Sequence, residues 1–192
     1  MPDEVFPRTD IVTTRLRLRA FGARDAADVH EAWQDELFGR TASVGYLFAG
    51  ADLETAAGWC TGAEKRRQDG LGVELAIEPR DGGRLLGHVA LFGVNWSIRI
   101  AEVHYWTAPW ARGNGYAGEA ARAVAEWALR DVAFERISLR AAVDNIASRR
   151  VADAAGFHFE GVQRSVFPAR DGGRLDLAVY SLIRPDLEPS PA

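Results

Sequence analysis

The chain has one cysteine, Cys60, among 192 residues. No intrachain disulfide can form, and the composition suits a reducing compartment. There is no excess of positive charge, and the net charge of −4 argues against a general nucleic-acid surface. The opening residues lack a basic-then-apolar pattern, and no apolar run approaches membrane-spanning length. Neither a signal peptide nor a spanning helix is expected, and a cytoplasmic setting is. The rest is ordinary for a globular protein, with 47% hydrophobic and 26% charged residues. Together these predict a single domain over residues 1–192, with a core at about 12–184 and a loose tail at 185–192 that carries three prolines.

Hydrophobic periodicity divides the chain into strands and helices. Thr13 to Phe21 alternates Leu16, Leu18 and Ala20 with Arg15, Arg17 and Arg19, a half-buried strand with one basic face. Ala23 to Leu37 reads as a helix with Ala26, Val29, Trp33 and Leu37 on one side, followed by a loop from Gly39 to Gly50. Leu53 to Gln68 is a second helix, in which Cys60 is a packed thiol. Gly72 to Glu78 and Arg84 to Phe92 are strands joined by Pro79-Arg80-Asp81-Gly82-Gly83, a hairpin signal. Further strands are read at Arg99–Thr107, Arg136–Val143, Phe157–Phe167 and Leu175–Ile183. Helices are read at Tyr116–Asp131 and Ile146–Ala155, the latter stopped by Gly156. The hexapeptide Arg-Asp-Gly-Gly-Arg-Leu occurs at 80 and again at 170, and different flanks make it two similar turns rather than a repeat. The element order predicts an α+β layered domain, a mixed sheet of about seven strands flanked by about four helices. Its strand–helix–strand unit from Arg99 to Val143 should be a parallel crossover.

The segment with the most chemistry is Arg112-Gly113-Asn114-Gly115-Tyr116-Ala117, between a strand and a helix. Glycines there let the backbone pass close to a ligand. The first N–H groups of the helix lack internal partners, and with the helix dipole they make a site for a phosphate or pyrophosphate. A P-loop is excluded because Tyr116 and Glu119, not Lys and Ser or Thr, follow the glycines. Gly113, Gly115 and Gly118 do match the dinucleotide spacing, with Glu135 as a later acid. The unit begins past the middle of the chain, however, and no second nucleotide-binding half follows. A nicotinamide-dependent enzyme is therefore the weaker reading.

Arg112 to Ala117 resembles the acyl-CoA pyrophosphate loop, Arg/Gln-x-x-Gly-x-Gly/Ala, of the GNAT-type N-acetyltransferase superfamily. Asn145-x-x-Ser148 followed by Gly156-Phe157 resembles its second cofactor segment. Thr14-Arg15-Leu16-Arg17-Leu18-Arg19 and the strand Leu177–Leu182 with Asp176 resemble the Rim-like branch of ribosomal-protein N-terminal acetyltransferases and their relatives. The resemblance implies a GNAT-type layered domain that binds acetyl-CoA as co-substrate and moves its acetyl group to a primary amine, on a peptide N-terminus or a small molecule. A homodimer is a further expectation from it. A non-catalytic acyl-CoA-binding or sensing module is the alternative from another class.

By the same resemblance, the backbone from Arg112 through Gly113, Asn114, Gly115, Tyr116 and Ala117 wraps the pyrophosphate, with Arg112 adding charge. Tyr105, Trp106 and Thr107 pair with the pantetheine arm, and one backbone N–H there polarises the thioester carbonyl. Trp106 itself reads as core. Asn145 and Ser148 face the cofactor, although Asp144, Asn145 and Ser148 are also ordinary helix-start chemistry. Many superfamily members carry an acidic Tyr seven residues after the Asn; here that position is Ala152, which leaves Ser148 as the nearest hydroxyl. Amide formation needs a base, and Glu102 and His104 share one strand face, with His88 a third candidate. No metal is expected. Trp33, Tyr46, Phe92, Trp96 and Phe167 are candidate acceptor lining, each equally a core residue.

Overall fold

The computed structural model describes residues 4–41, 48–169 and 172–188. Among them are the strands β1 (Ile11–Val12), β2 (Leu16–Ala20), β3 (Val73–Pro79), β4 (Gly87–Asn95), β5 (Ile100–Thr107), β6 (Arg136–Ala142), β7 (His158–Pro168) and β8 (Arg174–Ile183). The α-helices are α1 (Ala26–Trp33), α2 (Glu36–Thr41), α3 (Leu53–Gln68), α4 (Tyr116–Arg130) and α5 (Ile146–Ala154). The eight strands form one sheet in the order β1-β2-β3-β4-β5-β6-β8-β7. Only β5 and β6 run parallel. The α+β expectation and the parallel Arg99–Val143 unit both hold. The strand beyond the expected count is β1, which turns into β2 where Thr13 N donates to Leu16 O at 2.9 Å.

Alternation sorts the sheet into two faces. One carries Leu18, Leu75, Leu91, Val103 and Leu139 onto α4, which answers with Ala120, Ala121, Val124, Ala125 and Ala128. Small residues along that stripe let the helix lie close to the sheet. Gly118 extends the same logic: a Cβ there would sit 3.3 Å from the Ala154 Cβ, so α4 and α5 touch almost backbone to backbone. The other face carries Ala76 and Trp106 beneath Val29 and Trp33 of α1 and Ala56 and Cys60 of α3. Among the described residues this second cluster takes nothing from β6, β7 or β8. On that side, β6 presents Arg136, Ser138 and Arg140, paired with Ile183, Ser181 and Val179 of β8.

Several expectations give way. The helix read over Ala23–Leu37 is a 3₁₀ turn (Ala23–Asp25) and α1, broken at Gln34 and restarted as α2. Asp35 causes the restart, because its carboxylate accepts from Phe38 N at 2.8 Å as a helix cap does. The loop read from Gly39 is therefore helical as far as Thr41, and Tyr46 lies outside the described residues. The strand read from Arg84 starts at Gly87, where a Cβ would come within 2.3 Å of Trp106 O. Ala20, read as inward, is exposed at the end of β2. Trp33 and Trp96, read as candidate acceptor lining, are packed against other side chains. Trp33 is buried in the α1–α3 cluster. Trp96 packs on Phe6 and Phe134 and donates to Gly70 O at 2.9 Å.

The basic face of β2 is not simply solvated. Arg19 lies half-sunk between the buried carboxylates of Asp25 and Glu78, at 2.7 Å and 2.8 Å. Burial raises the Asp25 carboxyl, but the Arg19 hydrogen bonds outweigh it and hold that group below its ordinary value. Arg17 pairs with Asp10 and Arg15 with Glu119.

Candidate active site

β5 is paired unequally on its two sides. Its antiparallel ladder to β4 runs from Ile100 to Thr107, with one bulge. Its parallel ladder to β6 has three pairs, Ile100↔Arg136, Ala101↔Ile137 and Glu102↔Ser138, and then stops. From Val103 to Thr107 the β6-facing backbone of β5 has no strand beside it. Unpaired strand edges template another extended chain, so this edge can hydrogen-bond a linear, amide-bearing ligand.

The gap opens toward the loop that follows β5. Ala108 N donates to Leu86 O, and Trp110 Nε1 donates to Leu85 O, pinning the 3₁₀ turn Pro109–Ala111. Gly113 (φ 79°) and Gly115 (φ 75°) then take left-handed conformations that an L side chain resists. Asn114 Nδ2 closes the loop on Ala111 O and Arg112 O at 3.2 and 3.0 Å. Gly115 caps α4 with backbone alone. Among the described residues, none of the N–H groups from Gly113 to Gly118 finds an acceptor. Six successive residues thus present donors at the positive end of α4, a cradle for an anion.

The loop's charged neighbours differ from expectation. Arg112 does not point its charge at the cradle, because its guanidinium binds Asp35 and holds that carboxyl below its ordinary value. The cation at the loop is Arg15. It donates to Asn114 O at 2.9 Å, pairs with Glu119 at 2.6 Å, and lies 5.0 Å from the centre of the Tyr116 ring. Glu119 also accepts from the Thr13 hydroxyl at 2.5 Å. Burial opposes its charge, but these bonds outweigh it and keep Glu119 ionised. Ala117 is buried at the start of α4. Arg15 was visible in sequence only as one of three alternating arginines; its reach to the loop depends on the β1–β2 turn.

On the far bank of the gap, Asn145 caps α5, its Oδ1 accepting from Ser148 N at 3.0 Å. The helix-start reading is therefore correct for that oxygen. Ala152 is fully buried and offers no polar atom. Ser148 Oγ meets a phenol from the other bank, Tyr105 Oη, at 2.6 Å. No local pattern marks this contact, which joins residues 43 apart in the chain.

Glu102 and His104 do share a face of β5, opposite Phe92 and Ala90 of β4. Glu102 Oε2 is held by Arg140 at 2.7 Å, and no partner among the described residues takes Oε1. Burial pushes the His104 imidazole down to about 4, so it is neutral at neutral pH, with Nε2 buried and unpartnered. His88 lies deeper, against Trp59 and Phe21, with both ring nitrogens unpartnered. Burial likewise pushes it well below its ordinary value. Phe92 is exposed beside Glu102, whereas Phe167 stands at the sheet edge on β7, away from it. Trp106 is core, as read. Cys60 is buried, and burial pushes its thiol up to about 12, an inert group.

Comparison with known proteins follows the same lines. Residues 15–158 match the family model described as acetyltransferase (GNAT) domain. The N-acetyltransferase YoaA of Bacillus subtilis, itself uncharacterised, is 27% identical over 173 residues, 90% of this chain and 96% of that protein. The structure of Mycobacterium smegmatis RimJ with a CoA disulfide superposes with a TM-score of 0.78 at 23% identity, covering 91% of this chain and 85% of that one. The ribosomal-protein α-N-acetyltransferase RimL, in complex with coenzyme A, superposes with a TM-score of 0.79 at 20% identity, covering 91% and 98%.

Proposed function

The chain belongs to the acetyltransferase (GNAT) domain family, an enzyme with acetyl-CoA as co-substrate, and from that premise we propose that it transfers acetyl to a primary amine by direct attack on the thioester. The observation that carries the reading is the run of unpartnered N–H groups from Gly113 to Gly118 beside the open edge of β5. The loop takes the pyrophosphate. The edge from Tyr105 to Thr107 takes the amide-bearing pantetheine arm, and a backbone N–H there holds the carbonyl oxygen as charge develops on it. The amide nitrogen of Asn145 faces the same arm.

Glu102 is the base we favour. Its Oε1 has no partner among the described residues, and Arg140 of β6 fixes the other oxygen. It takes the ammonium proton through water. His104 is the weaker candidate, since an imidazole brought down to about 4 with its Nε2 buried has little reach and little basicity. The first acceptor to try is a peptide α-amine, because the neighbour RimL is named for that activity.

Calorimetric titration with acetyl-CoA, CoA and NADH tests the donor. Micromolar binding of the first two and none of NADH supports it. Thiol release with peptides bearing free N-termini and with small amines tests transfer. Binding without turnover on any amine would leave a sensing module.

A further inference from the structure

The hydroxyls of Tyr105 and Ser148 come from opposite banks of the gap. Tyr105 stands past the last β5–β6 pair, and Ser148 lies in the first turn of α5, which follows β6. They meet at 2.6 Å, and Tyr105 Oη is also 3.2 Å from Ser148 O. Both residues are half-buried, so a molecule in the gap can touch the pair while bulk water is thinned around it. The Tyr105 ring packs against the main core, which fixes where its oxygen sits.

We infer that Tyr105 is a positioning residue that turns the Ser148 hydroxyl proton into the gap, where it holds the sulfur of the departing thiolate. The inference rests on the acetyl-CoA reading above. Two O–H bonds and three acceptor oxygens allow two arrangements. In one, Ser148 donates to Tyr105, which donates to Ser148 O. In the other, Tyr105 donates to Ser148 Oγ, and the serine proton is free to point outward. Switching between them rotates two O–H bonds and moves no heavy atom. An anion in the gap selects the second, and a chain of two hydroxyls ending on a charge is polarised along its length. The first turn of α5 adds the positive end of its dipole. Burial pushes the phenol up to about 12, so it stays a donor throughout the neutral range.

The electron count is simple. The amine nitrogen closes its bond to the acetyl carbon, and the C–S bond breaks with its pair on sulfur. Ser148 hydrogen-bonds that charge without giving up its proton. Glu102 passes the first ammonium proton on to solvent through water before the attack, and then takes the proton that the nitrogen sheds as the amide forms.

The test needs no acceptor. The thiol of CoA bound to the full-length protein is titrated by its thiolate absorbance in the ultraviolet, with desulfo-CoA as the blank. The bound thiol of the unsubstituted protein should ionise below the ordinary ~8.5. Tyr105→Phe should raise that value by about half a unit to one unit with CoA affinity little changed. Ser148→Ala should raise it at least as far, and Ser148→Thr, which keeps the hydroxyl, should not. The double variant should equal Ser148→Ala alone, because Tyr105 acts through Ser148. An unchanged thiol in Tyr105→Phe, or additive shifts in the double variant, would overturn the inference. Failure of the unsubstituted protein to bind CoA at all would instead overturn the donor reading beneath it.

Discussion

The two sides of β5 make the instructive contrast in this molecule. Toward β4 the ladder runs the length of the strand, and that half of the sheet is sealed on both faces, by α4 on one and by α1 and α3 on the other. Toward β6 three pairs form and the rest of the edge is left open. The sealed half holds its charges in pairs at depth, as with Arg19 between Asp25 and Glu78. The open half holds donors with no partner. The first arrangement gives stability and rigidity. The second is tolerable only because the first is there, and it is where a ligand gains most.

Substitutions on the two sides should separate stability from chemistry. The largest effect belongs to the sealed half. Arg19→Met takes the bidentate partner from buried Asp25 and leaves buried Glu78 to Arg24, and it should cost about 3–5 kcal/mol in unfolding free energy, while any remaining folded protein still binds CoA. Chemical denaturation with and without CoA checks both. The same pairing sets a pH sign. Asp25 is held below its unfolded value, so its contribution is present above ~3.9 and is lost as pH falls through its depressed pKa. A stability profile that is flat in acid for the unsubstituted protein would contradict this.

On the open side, Gly115→Trp puts a side chain on a left-handed residue at the mouth of the cradle. Roughly hundredfold weaker CoA binding is expected, about 2.7 kcal/mol. Thermal melting should change little by comparison; retained affinity would mean the loop is structural. Glu102→Gln should lower kcat on the order of a hundredfold with KM for acetyl-CoA held, and an unchanged rate would remove Glu102 as the base. The smallest effect is the sharpest probe of the boundary between the halves. Arg112 is already engaged by Asp35, so Arg112→Gln should weaken CoA binding by less than about threefold. A tenfold loss would show that this arginine swings to the phosphates.

How far the sequence reaches can be judged from one accident of this chain. The hexapeptide Arg-Asp-Gly-Gly-Arg-Leu occurs twice, and both described copies of its first glycine, Gly82 and Gly172, have φ of 86°. That glycine takes the same conformation in both. Its surroundings differ. In the first copy Arg84 stacks 3.4 Å over Trp110 and binds Asp28, and Leu85 is buried. In the second Arg174 donates to Ser165 O and Leu175 is half-buried.

The same division runs through the candidate site. Residues close in sequence determined the glycine conformations of the loop, the free donors at the start of α4, the Asn145 cap and the shared face of Glu102 and His104. Each depends on backbone preferences or strand alternation acting over a few residues. Tertiary structure alone decided that Arg112 would be spent on Asp35, 77 residues away, that Arg15 would stand at the loop instead, and that Tyr105 would find Ser148 across 43 residues. Those meetings depend on where the β5–β6 ladder ends and how α5 leans against α4. No local pattern encodes either, because both are settled by packing among segments that are neighbours only once the chain has folded.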